Sequence, residues 1–262
     1  MKITRKAFLR IAGGSVLAAG AGKLVKAISD VAPPPAAVSG SKSTAEGGRA
    51  TTQRWGMAID FEKCRKGCDD CIRACRLAHN VPRIPDSAHE VKWIWEEPYE
   101  KVFPSQRTDY GRQDLAGSQL PVLCNHCADP PCVRVCPTQA TWKRDDGIVM
   151  MDYHRCIGCR YCMVACPYGS RSFNWFDPRP YIKPLNSQLP TRTKGVVEKC
   201  NFCEERLADG LLPACVEACP QKALVFGNLN DKDSAVRQTL RARYAVQRQP
   251  ELGTEPSVFY LV

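Results

Sequence analysis

Short apolar runs punctuate this chain of 262 residues, and none of them reaches 18 residues. A multi-span membrane protein is therefore excluded. The runs predict small strands. Ala140 to Lys143 and Ile148 to Met151 flank the turn signal Asp145-Asp146-Gly147 and read as a hairpin. Trp55 to Asp60, Gly195 to Glu198 and Ala223 to Phe226 read as further strands. Helical spacing predicts short helices over Asp69 to Ala78, over Arg160 to Ala165 and around Val216. An amphipathic helix is expected over Ser234 to Ala245. Residues 76–120 and 168–195, rich in proline and aromatic side chains, read as irregular insertions. Brief strands mixed with brief helices predict an α+β fold.

The N-terminus has a different pattern. Residues 1–10, MKITRKAFLR, are basic, and a weakly apolar stretch rich in Ala and Gly runs from Ile11 to Gly22. Charges that precede an apolar run, without interleaving, mark an export signal. Thr4-Arg5-Lys6-Ala7-Phe8-Leu9-Arg10 is similar to a twin-arginine signal, with Lys6 in place of the second arginine. That route carries folded proteins, so metal loading can precede exposure of thiols to an oxidising compartment. The expectation is a twin-arginine-like signal segment over 1–27 and a periplasmic protein. Residues 28–54, with Pro33-Pro34-Pro35, read as a disordered linker. The body is expected over 55–230, followed by a C-terminal helix and tail over 231–262.

Composition changes this picture at one residue type. The chain holds 16 cysteines, and all fall into four groups of four. Group one is Cys64, Cys68, Cys71 and Cys75; group two is Cys124, Cys127, Cys132 and Cys136. Group three is Cys156, Cys159, Cys162 and Cys166; group four is Cys200, Cys203, Cys215 and Cys219. Proline follows the last cysteine directly in groups two, three and four, as Pro137, Pro167 and Pro220. Group three is C-x2-C-x2-C-x3-C-P, the bacterial ferredoxin run, whose fourth cysteine serves a neighbouring cluster. That cysteine is expected on the next helical turn, facing away. Group two lengthens the middle gap and group four stretches it to eleven residues. Disulfides would be a poor use of paired C-x2-C units. Structural zinc needs separated knuckles and no trailing proline. The sequence therefore predicts four [4Fe-4S] clusters. In group one, Arg65-Lys66-Gly67 adds a residue between the first two cysteines. Gly67 lets the loop bulge and keep an ordinary cluster; the rival is a modified or labile cluster.

Charge at first suggests nucleic acid: 37 basic against 27 acidic residues give +10. Sixteen thiolates and four oxidised cores of about 2+ each would bring the loaded chain to about +2. Residues 1–30 hold +5 of that. The loaded body is then about −3, which excludes phosphate-backbone binding as its role.

These groups resemble the four-cluster ferredoxin subunits of membrane-bound and periplasmic redox complexes, such as dimethyl-sulfoxide and polysulfide reductases. The resemblance covers about residues 55–230. A narrower likeness lies in His79-Asn80-Val81-Pro82, in Glu90-Val91-Lys92-Trp93-Ile94-Trp95 and in the tail Leu252 to Leu261. These stretches are similar to the DsrO-type subunits of DsrMKJOP complexes in dissimilatory sulfur metabolism. The resemblance implies two tandem or nested ferredoxin-like modules with two clusters each, groups one and four pairing, and groups two and three pairing. It implies cluster ligand sets Cys64/Cys68/Cys71/Cys219, Cys200/Cys203/Cys215/Cys75, Cys124/Cys127/Cys132/Cys166 and Cys156/Cys159/Cys162/Cys136. It further implies an electron-transfer role without catalysis. The implied partners are an NrfD-type integral-membrane quinone-reactive subunit, a periplasmic multihaem cytochrome c and further subunits of a DsrMKJOP-like complex. The alternatives are a subunit of a molybdopterin oxidoreductase and a zinc-stabilised interaction module.

The remaining sequence offers no nucleophile with a base, no phosphate loop and no haem-attachment motif. Of four histidines, His126 lies inside a cysteine loop and His154 precedes Cys156. Protonation of either would raise a nearby cluster's potential; the alternative is a packed or solvated ring. Trp93, Trp95, Tyr99 and Phe103 read either as a docking patch or as packing under an insertion. Arg65, Lys66, Arg73 and Arg76 read as solvated charges that offset the thiolates.

Overall fold

A computed structural model describes residues 53–106, 115 and 117–262. The signal segment and nearly all of the linker lie outside the described residues. The central sheet has the strand order β8-β1-β10-β9. Its members are β1 (Trp55–Asp60), β8 (Leu224–Asn228), β9 (Ala245–Val246) and β10 (Val258–Leu261). β1 pairs antiparallel with β8, placing Ile59 opposite Leu224. It pairs parallel with β10, placing Met57 opposite Val258. Alternation explains why β1 is buried on both faces. Met57 and Ile59 enter the main core, while Ala58 meets Val236 and Leu261 behind the sheet. Val236 belongs to α7 (Ala235–Ala242), the expected amphipathic helix, whose N-cap Ser234 accepts from the Arg237 N–H.

Three two-stranded sheets complete the strands. β4 (Thr141–Lys143) and β5 (Val149–Met151) form the expected hairpin. β6 (Ser172–Phe173) pairs with β7 (Val197–Glu198). β2 (Ile94–Pro98) pairs antiparallel with β3 (Gln119–Leu123), from Ile94 opposite Leu123 to Pro98 opposite Gln119. This last pair corrects the reading of residues 76–120 as an irregular insertion. Helix α2 (Tyr99–Val102) follows β2 directly. Trp93, Trp95, Phe103, Leu120 and Leu123 are buried in the same core as Met57 and Tyr260. Each such side chain contributes about 1.5–3 kcal/mol when fully withdrawn from water. The sequence pattern misses the pair because its two strands lie far apart in the chain.

Residues 168–195, read as an irregular insertion, contain β6 and one 3-10 turn at Arg179–Tyr181, and the rest is irregular but firmly held. Buried Glu198 accepts from Trp93 Nε1 at 3.0 Å and forms an ion pair with Arg192 at 2.7 Å. Asn174 Nδ2 also donates to Glu198. One carboxylate thus ties both insertions to β7. Asn80, in left-handed conformation at the end of α1 (Asp70–His79), donates to the carbonyls of Asn186 and Leu189, both at 2.9 Å.

Residue 230 is not a packing boundary. α7 covers the sheet and β10 completes it. Among the described residues, no helix is long and apolar enough to cross a membrane.

Candidate metal centres

The four cysteine groups share one local plan. A strand precedes each: β1, β3, β5 and β7. The first two cysteines then occupy a loop. The residue just before the second cysteine has positive φ every time: Gly67 (74°), His126 (42°), Gly158 (69°) and Phe202 (57°). Left-handed residues turn the chain sharply, and such turns gather backbone N–H groups into anion-binding concavities. Gly67 takes the same place despite the extra residue in group one, so the longer spacing keeps the shared turn. The third cysteine is the second residue of a helix in all four groups. Cys71 lies on α1, Cys132 on α3 (Pro131–Arg134), Cys162 on α4 (Tyr161–Ala165) and Cys215 on α6 (Ala214–Glu217). A further short helix, α5 (Glu204–Ala208), fills the long gap of group four.

The fourth cysteine stands four residues after the third in each group. Along α1 that spacing puts Cys71 and Cys75 on one face, a turn apart. In α1 the fourth cysteine, Cys75, is thus displaced along the axis from Cys71, whereas in group three Cys166 lies past the end of α4 in extended backbone. Helix α1 packs against α6, and α3 packs against α4.

Electrostatic coupling marks sulfurs that lie near one another, within and across the groups, Cys200 being coupled to Cys124 as well as to Cys203. Cys64 is acted on by Cys68 and Cys219, and Cys71 by Cys64, Cys219 and Cys68. Cys75 is acted on chiefly by Cys200, Cys203 and Cys215. Cys127 feels Cys124, Cys132 and Cys166. Cys162 feels Cys132 and Cys156. The four sulfurs of Cys124, Cys127, Cys132 and Cys166 line one cavity, with Pro130, Pro131, Pro167 and Arg171 around it.

All sixteen cysteines are free thiols. Burial, then neighbouring sulfur charge, pushes Cys71 and Cys127 up to about 12. The same causes push Cys75 and Cys215 well above the ordinary thiol range. Sulfurs so buried and crowded ionise readily only against a cationic core, which is the donor chemistry an iron–sulfur cluster requires. Backbone amides also reach sulfur: Phe202 N to Cys200 Sγ at 3.4 Å, Ala214 N to Cys203 Sγ at 3.3 Å, and Ala223 N to Cys219 Sγ at 3.2 Å. Cys136 is less buried. There, burial raises the thiol, but the Thr141 N–H and the Thr138 hydroxyl and N–H outweigh it and lower the pKa. The residues present fit [4Fe-4S] clusters.

Several side chains around the sulfurs carry no sequence signature. Arg171 Nη2 donates to Cys132 Sγ at 3.0 Å and to Thr141 Oγ1 at 2.8 Å. Lys199 is buried and donates to the carbonyls of Val149 and Cys200. His79 Nε2 stands 3.0 Å from Cys203 Sγ, and its Nδ1 is 3.0 Å from Glu205. Burial disfavours the charged ring, but contacts with Cys203 and Glu205 lift His79 to about 9. His79, Cys203 and Glu205 offer three donor atoms within 4.8 Å of one another. Cys203 is also coupled to Cys75, so this triad adjoins other cysteine sulfurs.

His126 is fully buried, stacks on Phe202 at 3.7 Å and accepts from Val149 N at 3.0 Å. Burial, then Lys199 and Arg171, hold its pKa well below the ordinary range. It is a neutral packed ring and not a protonation switch. His154 is fully exposed, 3.6 Å from Asp152. Trp93, Trp95 and Phe103 are buried and Tyr99 packs on the core, so they support an insertion and form no docking patch. Arg73 pairs with Asp69 and Asp70, and Arg76 with Glu90. Those two arginines therefore meet carboxylates, whereas Arg65 and Lys66 are exposed as expected.

Comparison with known proteins agrees with the geometry. A 4Fe-4S dicluster domain matches residues 116–179 and again 176–229. The chain is 42% identical over 230 residues to an Hdr-like menaquinol oxidoreductase iron–sulfur subunit of Archaeoglobus fulgidus, covering 79% of this chain and 83% of the relative. It is 40% identical over 235 residues to the iron–sulfur cluster-binding subunit of a menaquinone reductase from Nitratidesulfovibrio vulgaris, covering 79% and 88%. It is 37% identical over 239 residues to the iron–sulfur subunit of an arsenate respiratory reductase from a Shewanella species, covering 79% and 96%. The chain belongs to the 4Fe-4S dicluster family, as an iron–sulfur electron-transfer subunit and not a catalytic one.

Proposed function

We propose that this chain is a four-centre electron wire built as two nested ferredoxin-like modules. The ligand sets are Cys64/Cys68/Cys71/Cys219 and Cys200/Cys203/Cys215/Cys75 in one module. They are Cys124/Cys127/Cys132/Cys166 and Cys156/Cys159/Cys162/Cys136 in the other. When bound, each [4Fe-4S] cluster supplies one-electron redox chemistry. The chain's own residues hold it, exclude water and set its electrostatic surroundings. The carrying observation is the exchange of fourth cysteines: Cys75 faces Cys200, Cys203 and Cys215, while Cys219 faces Cys64 and Cys71. The packing of α1 on α6 and of α3 on α4 supports the same pairing.

The relatives named for menaquinol and menaquinone support a membrane quinone-reactive partner of the NrfD type. A periplasmic multihaem cytochrome c would take the other end, within a DsrMKJOP-like complex of dissimilatory sulfur metabolism. Export by the twin-arginine-like signal and a periplasmic location complete this reading. The arsenate respiratory reductase relative favours a second one, in which a catalytic molybdopterin subunit docks on the wire.

Cys166→Ser tests the wiring. It should perturb the centre of Cys124, Cys127 and Cys132, and leave the centre of Cys156, Cys159 and Cys162 with its wild-type paramagnetic signal. The opposite pattern refutes the exchange. Purification from native membranes with partner identification separates the quinone–cytochrome reading from the molybdopterin one.

A further inference from the structure

Two buried cations stand among the sulfurs with no carboxylate to neutralise them. Arg171 is 4% exposed. Its guanidinium bonds to Cys132 Sγ and Thr141 Oγ1, and its charge acts on Cys132, Cys162 and Cys124. Lys199 is 1% exposed. Its ammonium meets two carbonyls, and its charge couples to Cys124, Cys200 and Cys132. The two cations are near enough to repel one another. Among the described residues neither forms an ion pair with Asp or Glu. Arg192 is the contrast, being equally buried but held by Glu198 at 2.7 Å. Arg248, also buried, stacks over the Tyr168 ring. The Tyr168 hydroxyl meets Thr254 at 2.5 Å, and Thr254 in turn reaches Cys127.

The sulfurs common to both cations, Cys124 and Cys132, both belong to the Cys124/Cys127/Cys132/Cys166 quartet. The first quartet is surrounded differently. Cys68 Sγ lies 3.3 Å from Asp70 Oδ2, and Glu96 acts on Cys64. The basic residues there, Lys63, Arg65 and Lys66, are exposed, where water and salt screen them. A buried positive charge stabilises an added electron, and so does an N–H donated to a ligand sulfur; a carboxylate does the reverse.

We propose that Arg171 and Lys199 are potential-setting positioning residues that make the centre of the Cys124/Cys127/Cys132/Cys166 quartet the most easily reduced of the four. The inference rests on the ligand sets proposed above. Each cation also stands at a junction, Lys199 toward Cys200 and Arg171 toward Cys162, so each acts on two neighbouring centres.

The test is a potentiometric titration of the full chain in its native complex, followed by electron paramagnetic resonance, with the third quartet's signal assigned through Cys127→Ser. The wild type should show that signal at the highest potential. Arg171→Met should lower the reduction constant of that centre about tenfold, or about 59 mV for a one-electron couple. It should lower the Cys162 centre less and leave the Cys64 centre unchanged. Lys199→Met should lower the third centre by a similar factor, together with the Cys200 centre. Arg171→Lys should restore most of the loss. Unchanged potentials in fully loaded Met variants overturn the proposal, as does a wild-type third centre that is not the highest. If both Met variants lose iron while Arg171→Lys and Lys199→Arg retain it, the cations serve assembly and the proposal also falls. A wild-type iron content far short of four cubanes brings down the ligand sets themselves, and this inference with them.

Discussion

At the scale of single residues, two positions carry more than their side chains suggest. Gly158 has φ of +69° and no room for a Cβ, which would collide with the Gly195 carbonyl oxygen. Gly158→Ala should therefore disrupt the loop of Cys156 and Cys159 and cost one cluster, about four irons per chain. Iron analysis with protein quantitation checks this, and a full iron complement contradicts it. Glu198 is the second position. Removing its carboxylate strands a buried Arg192; Glu198→Ala should cost about 3–5 kcal/mol, read as a lower urea midpoint for loss of cluster absorbance. Gly158 is visible in the sequence as part of the ferredoxin run. Glu198 is not, because its partner Trp93 lies 105 residues away and only folding brings the two together. Arg171 is hidden for the same reason, lying 39 residues from Cys132.

At the scale of elements, local chemistry and long-range pairing divide what the sequence reveals from what it conceals. The hairpin β4–β5, the helix α7 and the cysteine-bearing helices α1, α4 and α6 each follow from a few adjacent residues, so their patterns are legible, whereas the one-turn helix α3 has no such pattern. The strands β2 and β3 are not, since each needs the other to satisfy its backbone. The tail reads as an appendage because nothing local announces a parallel partner. Its test is truncation: removing residues 258–262 exposes one edge of β1, whose Met57, Ala58 and Ile59 are fully buried. The truncated chain should yield little soluble iron-loaded protein, whereas a wild-type yield with normal iron content would show that β10 is dispensable.

At the scale of the whole molecule, the sulfur quartets differ in their access to the surface. Most cysteines are buried or half-buried, yet Cys159 is exposed. Ile157, Tyr161 and Val164 stand exposed around it, Val164 at 87%. Apolar side chains bared near a proposed cluster ligand suit contact with a partner protein. Val164→Asp should weaken assembly about tenfold while iron content and absorbance near about 400 nm stay as in the wild type. Undiminished co-purification of the partner would exclude this face as the contact.

The first and last strands of the body are neighbours, with Met57 set beside Val258. A growing polypeptide emerging from the ribosome therefore holds β1 half-matched until β10 arrives. By then every thiol has been synthesised. Pairing of β1 with β10 is thus possible only once the whole set of thiols exists: a body lacking β10 presents a raw strand edge to proteases and chaperones.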